Sequence, residues 1–178
     1  MVIPLGEFDI EFLRAQIGIV PQQGVIFEGT ILENMTLYRE GEAVEQAIEL
    51  AGILGLSEII SKFPDGLDTY IGGSAASSLS EGVKQMIVIV RSLVGNPKII
   101  FFDDANANFD VKNDKKLVAA ISMMKGSRTM VVVSHRPSLL RLCDRTLVLV
   151  DGELKNYIPP DFSVTPREVE RNLSLAGA

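Results

Sequence analysis

Short apolar runs that stop at turn-forming or acidic residues alternate along this chain with stretches whose apolar positions recur every three to four residues. Ile17-Gly18-Ile19-Val20 ends at Pro21, a residue without a backbone donor, and predicts a buried strand followed by the loop Gln22-Gln23-Gly24. Lys98 to Phe102 predicts a second buried strand, and the β-branched run Thr129 to Val133, ending at Ser134-His135, a third. Thr146 to Val150 predicts another strand, closed by the hairpin signal Asp151-Gly152. Thr30 to Met35 reads as a short helical turn, with Thr30 as its cap and Glu33 three residues on. Between Gly41 and Ala51, the positions Ala43, Ala47, Ile48 and Ala51 fall at helical spacing against Glu42, Glu45, Gln46 and Glu49. Further helices are predicted over Ser57 to Lys62, from Glu81 to Val94 behind a Ser80 cap, over Asp110 to Met124, and over Pro137 to Leu142. Phe63-Pro64-Asp65-Gly66 is a turn, Gly95-Asn96-Pro97 ends the Glu81 helix, and Gly72 to Ser80, rich in Gly, Ser and Ala, is a loop. Asn156 to Ala178, with Pro159-Pro160 near its start, reads as a tail with room for one helix.

Buried strands alternating with helices in the second half predict an α/β arrangement of layers. The mostly helical stretch after Gly24 predicts a lobe over about 24–95, inside a domain of 1–155 followed by a tail of 156–178. A chain of 178 residues that is 47% hydrophobic has the material for one packed core. It shows no internal repeat.

Charge and composition narrow the class. A net charge of −6 argues against a general electrostatic grip on nucleic acid or an anionic membrane. Cys143 is the only cysteine, so no internal disulfide framework exists and a reducing compartment is expected. No run reaches the roughly 18 apolar residues of a membrane span. The first residues lack a basic leader with an apolar centre, and no secretory signal is expected. His135 is the only histidine, which excludes a multi-histidine metal site.

The strongest chemical feature is Asp103-Asp104, closing the run Ile99-Ile100-Phe101-Phe102. A buried strand that delivers two carboxylates to a sheet edge is a way to hold Mg2+ and orient a water beside a phosphate. Yet no Gly in these 178 residues is followed by Lys, so they contain no G-x-x-x-x-G-K-[ST] phosphate loop.

The order of several motifs resembles the ATP-binding domain of ABC transporters, of the exporter or type I secretion kind. The matching pieces are Ile17 to Gln22, Phe27-Glu28-Gly29-Thr30-Ile31-Leu32-Glu33-Asn34, Pro64 to Thr69, Leu79 to Gln85, Asn96 through Asp104, and Val133-Ser134-His135-Arg136. The resemblance covers roughly Leu13 to Glu153. The resemblance implies a P-loop-NTPase-like layered sheet with helices and a helical lobe, starting after the phosphate loop and the N-terminal strands. It implies Gln22 as the Q-loop residue, reaching Mg2+ or the attacking water. Asp103 becomes the Walker B aspartate toward Mg2+. Asp104 stands where the family has its catalytic glutamate, His135 at the position that meets the γ-phosphate, and Ser80, Gly82 and Asp110 toward a nucleotide held by an opposite subunit.

The chain departs from the family pattern at four places. Glu81 and Val83 replace Gly and Gln of the LSGGQ signature, where Ser and Gly at a helix start make an anion site. A carboxylate there disfavours phosphate by about 1–4 kcal/mol. Asp104 is one methylene shorter than Glu, and errors of about 1 Å in placement cost on the order of 10²-fold in rate. Ala107 replaces the Ser of the D-loop. The implied cofactors are ATP and Mg2+. The implied partners are the transmembrane domains of a transporter and a second ATP-binding domain, with no nucleic acid, at the cytoplasmic side of the membrane. Three readings stand: a component of an exporter ATPase that is inactive alone, a degenerate non-hydrolytic module that pairs with a competent half, and a non-functional remnant.

Overall fold

A computed structural model describes residues 4–73 and 79–157. Residues 74–78 of the loop expected before Ser80, and 158–178 of the expected tail, lie outside the described residues. Chain contacts divide the protein into two compact units, Met1–Ser134 and His135–Ala178.

In the first unit a 3-10 turn at Leu5–Glu7 leads to α1 (Ile10–Ala15), β1 (Ile17–Val20), β2 (Gly29–Thr30), α2 (Ile31–Thr36), α3 (Glu42–Ile53) and α4 (Ser57–Ile60). A second 3-10 turn, Gly66–Asp68, precedes β3 (Tyr70–Ile71), α5 (Glu81–Leu93), β4 (Ile99–Asp103), α6 (Val111–Met124) and β5 (Thr129–Val133). Helix starts follow their caps. Asp9 accepts from the Phe12 amide at 2.8 Å. Thr30 and Glu33 form a reciprocal capping box on α2, closing with Thr30 N donating to Glu33 Oε2 at 2.6 Å. Asp110 accepts from the Asn113 amide at 2.8 Å.

The main sheet is parallel, in the order β1-β4-β5. Val20 lies opposite Phe102, and Asp103 opposite Val133. Gly18, Val20, Ile100 and Phe102 are buried on one face. A Cβ at Gly18 would stand 2.5 Å from the Ser92 carbonyl oxygen of α5, so helix and strand meet closely there. Helices α2, α3 and α5 pack on one another through Ile31, Met35, Ala47, Ala51, Met86, Ile87 and Val90.

The three strands are buried on one face rather than two. Ile17, Ile19, Ile99, Phe101, Val131 and Val133 are exposed, Ile19 and Val133 at 60%. Continuous apolar runs predict strands covered on both sides. The difference is topological. The strand order advances in one direction, and right-handed crossovers then place both connections on the same face of the sheet.

Some boundaries also move: α3 runs past Ala51 to Ile53, and α4 stops at Ile60. Helix α1 and the antiparallel pair β2–β3 carry too few residues for a periodicity to announce them.

In the second unit, α7 (Pro137–Leu140) precedes an antiparallel hairpin of β6 (Leu147–Val150) and β7 (Glu153–Asn156). Its two-residue turn has Asp151 at φ 51° and Gly152 at φ 82°, the doubly left-handed geometry that such hairpins prefer. Arg145 donates to Asn156 Oδ1 from Nε at 3.2 Å and from Nη2 at 3.0 Å.

Two outcomes follow. The bare apolar face drives self-association of the isolated chain, and Phe101→Ser combined with Val131→Thr reduces it in sedimentation velocity; a monomer at all concentrations before substitution would refute this. Glu58 is held below the ordinary carboxylate range by its hydrogen bond from Lys116, 3.4 Å away, and by the charges of Lys116 and Lys112. A lowered folded-state pKa gives stability that is present above the unfolded value and is lost as pH falls through the folded one. Glu58→Gln therefore lowers stability slightly at neutral pH and makes no difference once both states are protonated, checked by urea unfolding across pH. The effect is small because Glu58 is fully exposed.

Candidate nucleotide and metal site

Strand β4 ends by presenting Asp103 on the sheet and Asp104 just beyond it. Asp104 has φ 45°, a left-handed conformation that Asp tolerates better than most residues. Its amide donates to the Val133 carbonyl at 2.8 Å, and the chain then folds back in two tight turns, Ala107 N to Asp104 O at 2.9 Å and Phe109 N to Asn106 O at 3.1 Å. Asn106 is fully buried at the centre of this loop. Its Nδ2 donates to Asp114 Oδ1 at 2.5 Å, and its Oδ1 accepts from Ser134 Oγ at 3.4 Å.

The structure brings Gln22 to Asp104. Gln22 Nε2 donates to Asp104 Oδ2 at 3.3 Å across 82 residues of sequence. The parallel register explains the meeting: with Val20 opposite Phe102, the residues next beyond each strand leave the sheet at the same edge.

Ser80 and Gly82 sit at the start of α5. Ser80 Oγ accepts from the Val83 amide at 3.4 Å, and a Cβ on Gly82 would stand 3.6 Å from the Asn108 carbonyl oxygen. The start of α5 therefore adjoins the loop that follows Asp104. Glu81 is exposed and accepts from Lys84 Nζ at 2.7 Å. Asp110 caps α6, so its carboxylate already serves the helix start. His135 is exposed and opens the second unit, directly after Ser134.

Among the described residues no three His, Cys, Asp or Glu side chains gather as a metal site. The Asp104 carboxylate against the Gln22 amide, with Asp103 one residue earlier, offers the oxygen donors that suit Mg2+, an ion that keeps several waters and takes only one or two protein carboxylates. The phosphate end is different: the 178 residues hold no loop of the G-x-x-x-x-G-K-[ST] type.

Two polar residues, Asn34 buried and Arg91 half-buried, make contacts that the motif pieces do not announce. Asn34, 1% exposed, takes the place of a strand neighbour for Phe27: its Oδ1 accepts from the Phe27 amide at 2.9 Å, and its Nδ2 donates to the Phe27 carbonyl at 2.9 Å and the Thr30 carbonyl at 3.0 Å. Arg91 donates to the Asn34 carbonyl at 2.6 Å, to Asn34 Oδ1 at 2.9 Å and to the Val25 carbonyl at 2.7 Å, with its guanidinium 4.7 Å from the centre of the Phe27 ring. Burial pushes its pKa down from the ordinary value. The available signal was a lone cation inside the apolar run of α5, which needs fixed partners when buried.

No described helix is long and apolar enough to cross a membrane. The family profile of ABC transporters matches residues 4–107. The chain is 40% identical over 153 residues to Multidrug resistance protein 1 of Entamoeba histolytica, an alignment covering 84% of this chain and 12% of that protein. It is 34% identical over 144 residues to the Alpha-hemolysin translocation ATP-binding protein HlyB of Escherichia coli O157:H7, covering 81% of this chain and 20% of that one. The solved structure of a bacterial Atm1-family ABC exporter with ATP bound superposes with a TM-score of 0.73 at 34% identity, over 80% of this chain and 25% of that chain. The chain belongs to the ABC transporter family. It carries an exporter-like ATP-binding domain with the family's mixed α/β fold, and spans 12–20% of the length of these curated relatives.

Asn34→Ala removes the side-chain partners of the Phe27 amide and carbonyl and one of the three acceptors of Arg91, which keeps the Asn34 and Val25 backbone carbonyls. It should cost about 2–4 kcal/mol in urea unfolding. A loss below about 0.5 kcal/mol, the scale of an ordinary surface change, would show that the network is not formed.

Proposed function

We propose that this chain supplies the carboxylate, Q-loop and signature parts of an ATP-binding unit coupled to export, and that it does not hydrolyse ATP by itself. The observation that carries the reading is the Gln22 amide on the Asp104 carboxylate, 3.3 Å apart, beside Asp103 at the end of the same strand. Asp103 and Gln22 would hold Mg2+, which when bound neutralises charge at the phosphates. Asp104 orients a water, His135 meets the γ-phosphate, and Ser80, Gly82 and Asp110 face a nucleotide held by a second ATP-binding domain. Membrane domains of a transporter are the other partner and hold the chain at the cytoplasmic surface. The names of the relatives, one a translocation ATP-binding protein and the other a multidrug resistance protein, support export as the direction of transport.

A second reading is a non-hydrolytic half that pairs with a competent one. Glu81 favours it: its carboxylate stands at the start of α5 and is matched there by Lys84.

Purified chain with Mg2+ and ATP shows no turnover above background, because the backbone cradle for phosphate is not among its residues. Mixed with a phosphate-loop-bearing ATP-binding domain of the family, it pairs in a nucleotide-dependent way, and Ser80→Ala weakens pairing about tenfold, roughly the worth of one hydrogen bond to a charged group. Turnover by the chain alone that His135→Ala abolishes would overturn the first statement. No nucleotide-dependent pairing at high protein concentration would overturn the second.

A further inference from the structure

Helix α5 faces β1 and the loop after it with polar side chains at helical spacing. Gln85, Val88 and Ser92 share one face, and Arg91 stands beside it. Ser92 Oγ lies 2.7 Å from the Ile19 carbonyl oxygen and 2.8 Å from that of Val88, with one proton to donate between them. Gln85 Nε2 donates to the Pro21 carbonyl at 2.8 Å, and Arg91 Nη1 to the Val25 carbonyl at 2.7 Å. Between the last two anchors lie Gln22, Gln23 and Gly24. Gly24 is pressed onto the helix: a Cβ there would stand 2.3 Å from Val88 Cγ2.

This grip has a specific object. Pro21 follows Val20, the last β1 residue in the pairing register, so β4 no longer holds the chain from that point. Gln85 is 2% exposed, and its amide is committed to the Pro21 carbonyl rather than to water. One residue on, Gln22 makes its contact with Asp104 at 3.3 Å, near the long limit of a hydrogen bond. A backbone shift of about half an ångström breaks such a contact. We propose that Gln85 and Arg91 are positioning residues for Gln22: α5 fixes the backbone carbonyls on both sides of it and so holds its side-chain amide on Asp104. What the held amide does for chemistry rests on the role proposed for Gln22 above; the holding itself does not.

The test is the side-chain amide signals of Gln22 in ¹⁵N-labelled chain without nucleotide, assigned by Gln22→Ala, with the exposed neighbour Gln23 as reference. In the unsubstituted chain the Gln22 pair stands apart from the Gln23 pair, and Asp104→Ala moves it toward the Gln23 position. Gln85→Met, which keeps length and removes the donor, produces the same move while the backbone amides of Ile100 and Val132 stay in place. Arg91→Lys, which keeps the charge but cannot span Val25 and Asn34 together, does likewise. Gln22 signals that remain at the unsubstituted position in Gln85→Met, or that do not respond to Asp104→Ala, overturn the proposal. If Gln85→Met gives no dispersed spectrum, Arg91→Lys decides by the same criterion. Failure of nucleotide-dependent pairing would overturn the functional reading and leave this result standing, so the two fail separately.

Discussion

The parallel register of β1 with β4 is the constraint on which the rest of the first unit depends. Val20 opposite Phe102 sets which residues leave the sheet together, and therefore that Gln22 meets Asp104 rather than a residue further along. Strand β5 extends the same register, with Asp103 opposite Val133. The Asp104 amide then bonds to the Val133 carbonyl, and the loop beyond folds over a buried Asn106 tied to Asp114 and Ser134. A slip of one residue in a parallel pair would exchange the faces of every side chain and separate these partners.

Helix α5 is the second organiser. It starts behind the Ser80 cap, buries Met86, Ile87, Ile89 and Val90, and uses Gln85, Arg91 and Ser92 to hold the backbone carbonyls of Pro21, Val25 and Ile19. The same one-sided packing leaves six large apolar side chains of the sheet in water. In a parallel sheet that second face is ordinarily covered, so the exposed face is a substantial hydrophobic cost borne by these residues as they stand.

The departures at Asp104 and Glu81 also have local physical settings. Asp104 adopts a left-handed backbone conformation, one of the few non-glycine side chains suited to it, and its short carboxylate stays within reach of Gln22. Glu81 is matched by Lys84 three residues on, an exposed ion pair of modest strength that softens the charge at the start of α5.

Much of this was legible before folding. The apolar runs announced β1, β4 and β5. The caps Thr30 and Ser80 marked helix starts that the structure keeps, because capping is satisfied within a few residues. Asp151-Gly152 announced its hairpin because its turn depends on local dihedrals alone. Asp103-Asp104 stood out as chemistry because acid at the end of an apolar run has no packing purpose. What stayed hidden involves partners far apart in the chain. The pairs β2–β3, Gln22 with Asp104, Asn34 with Arg91 and Gln85 with Pro21 are fixed by register and helix packing, and no local period encodes them. The sequence by itself determined the longer elements, two of their caps and the family to which the chain belongs. Only the tertiary structure decided which face of the sheet is covered and which amide meets which carboxylate, because crossover handedness and strand register are properties of the whole assembly of strands.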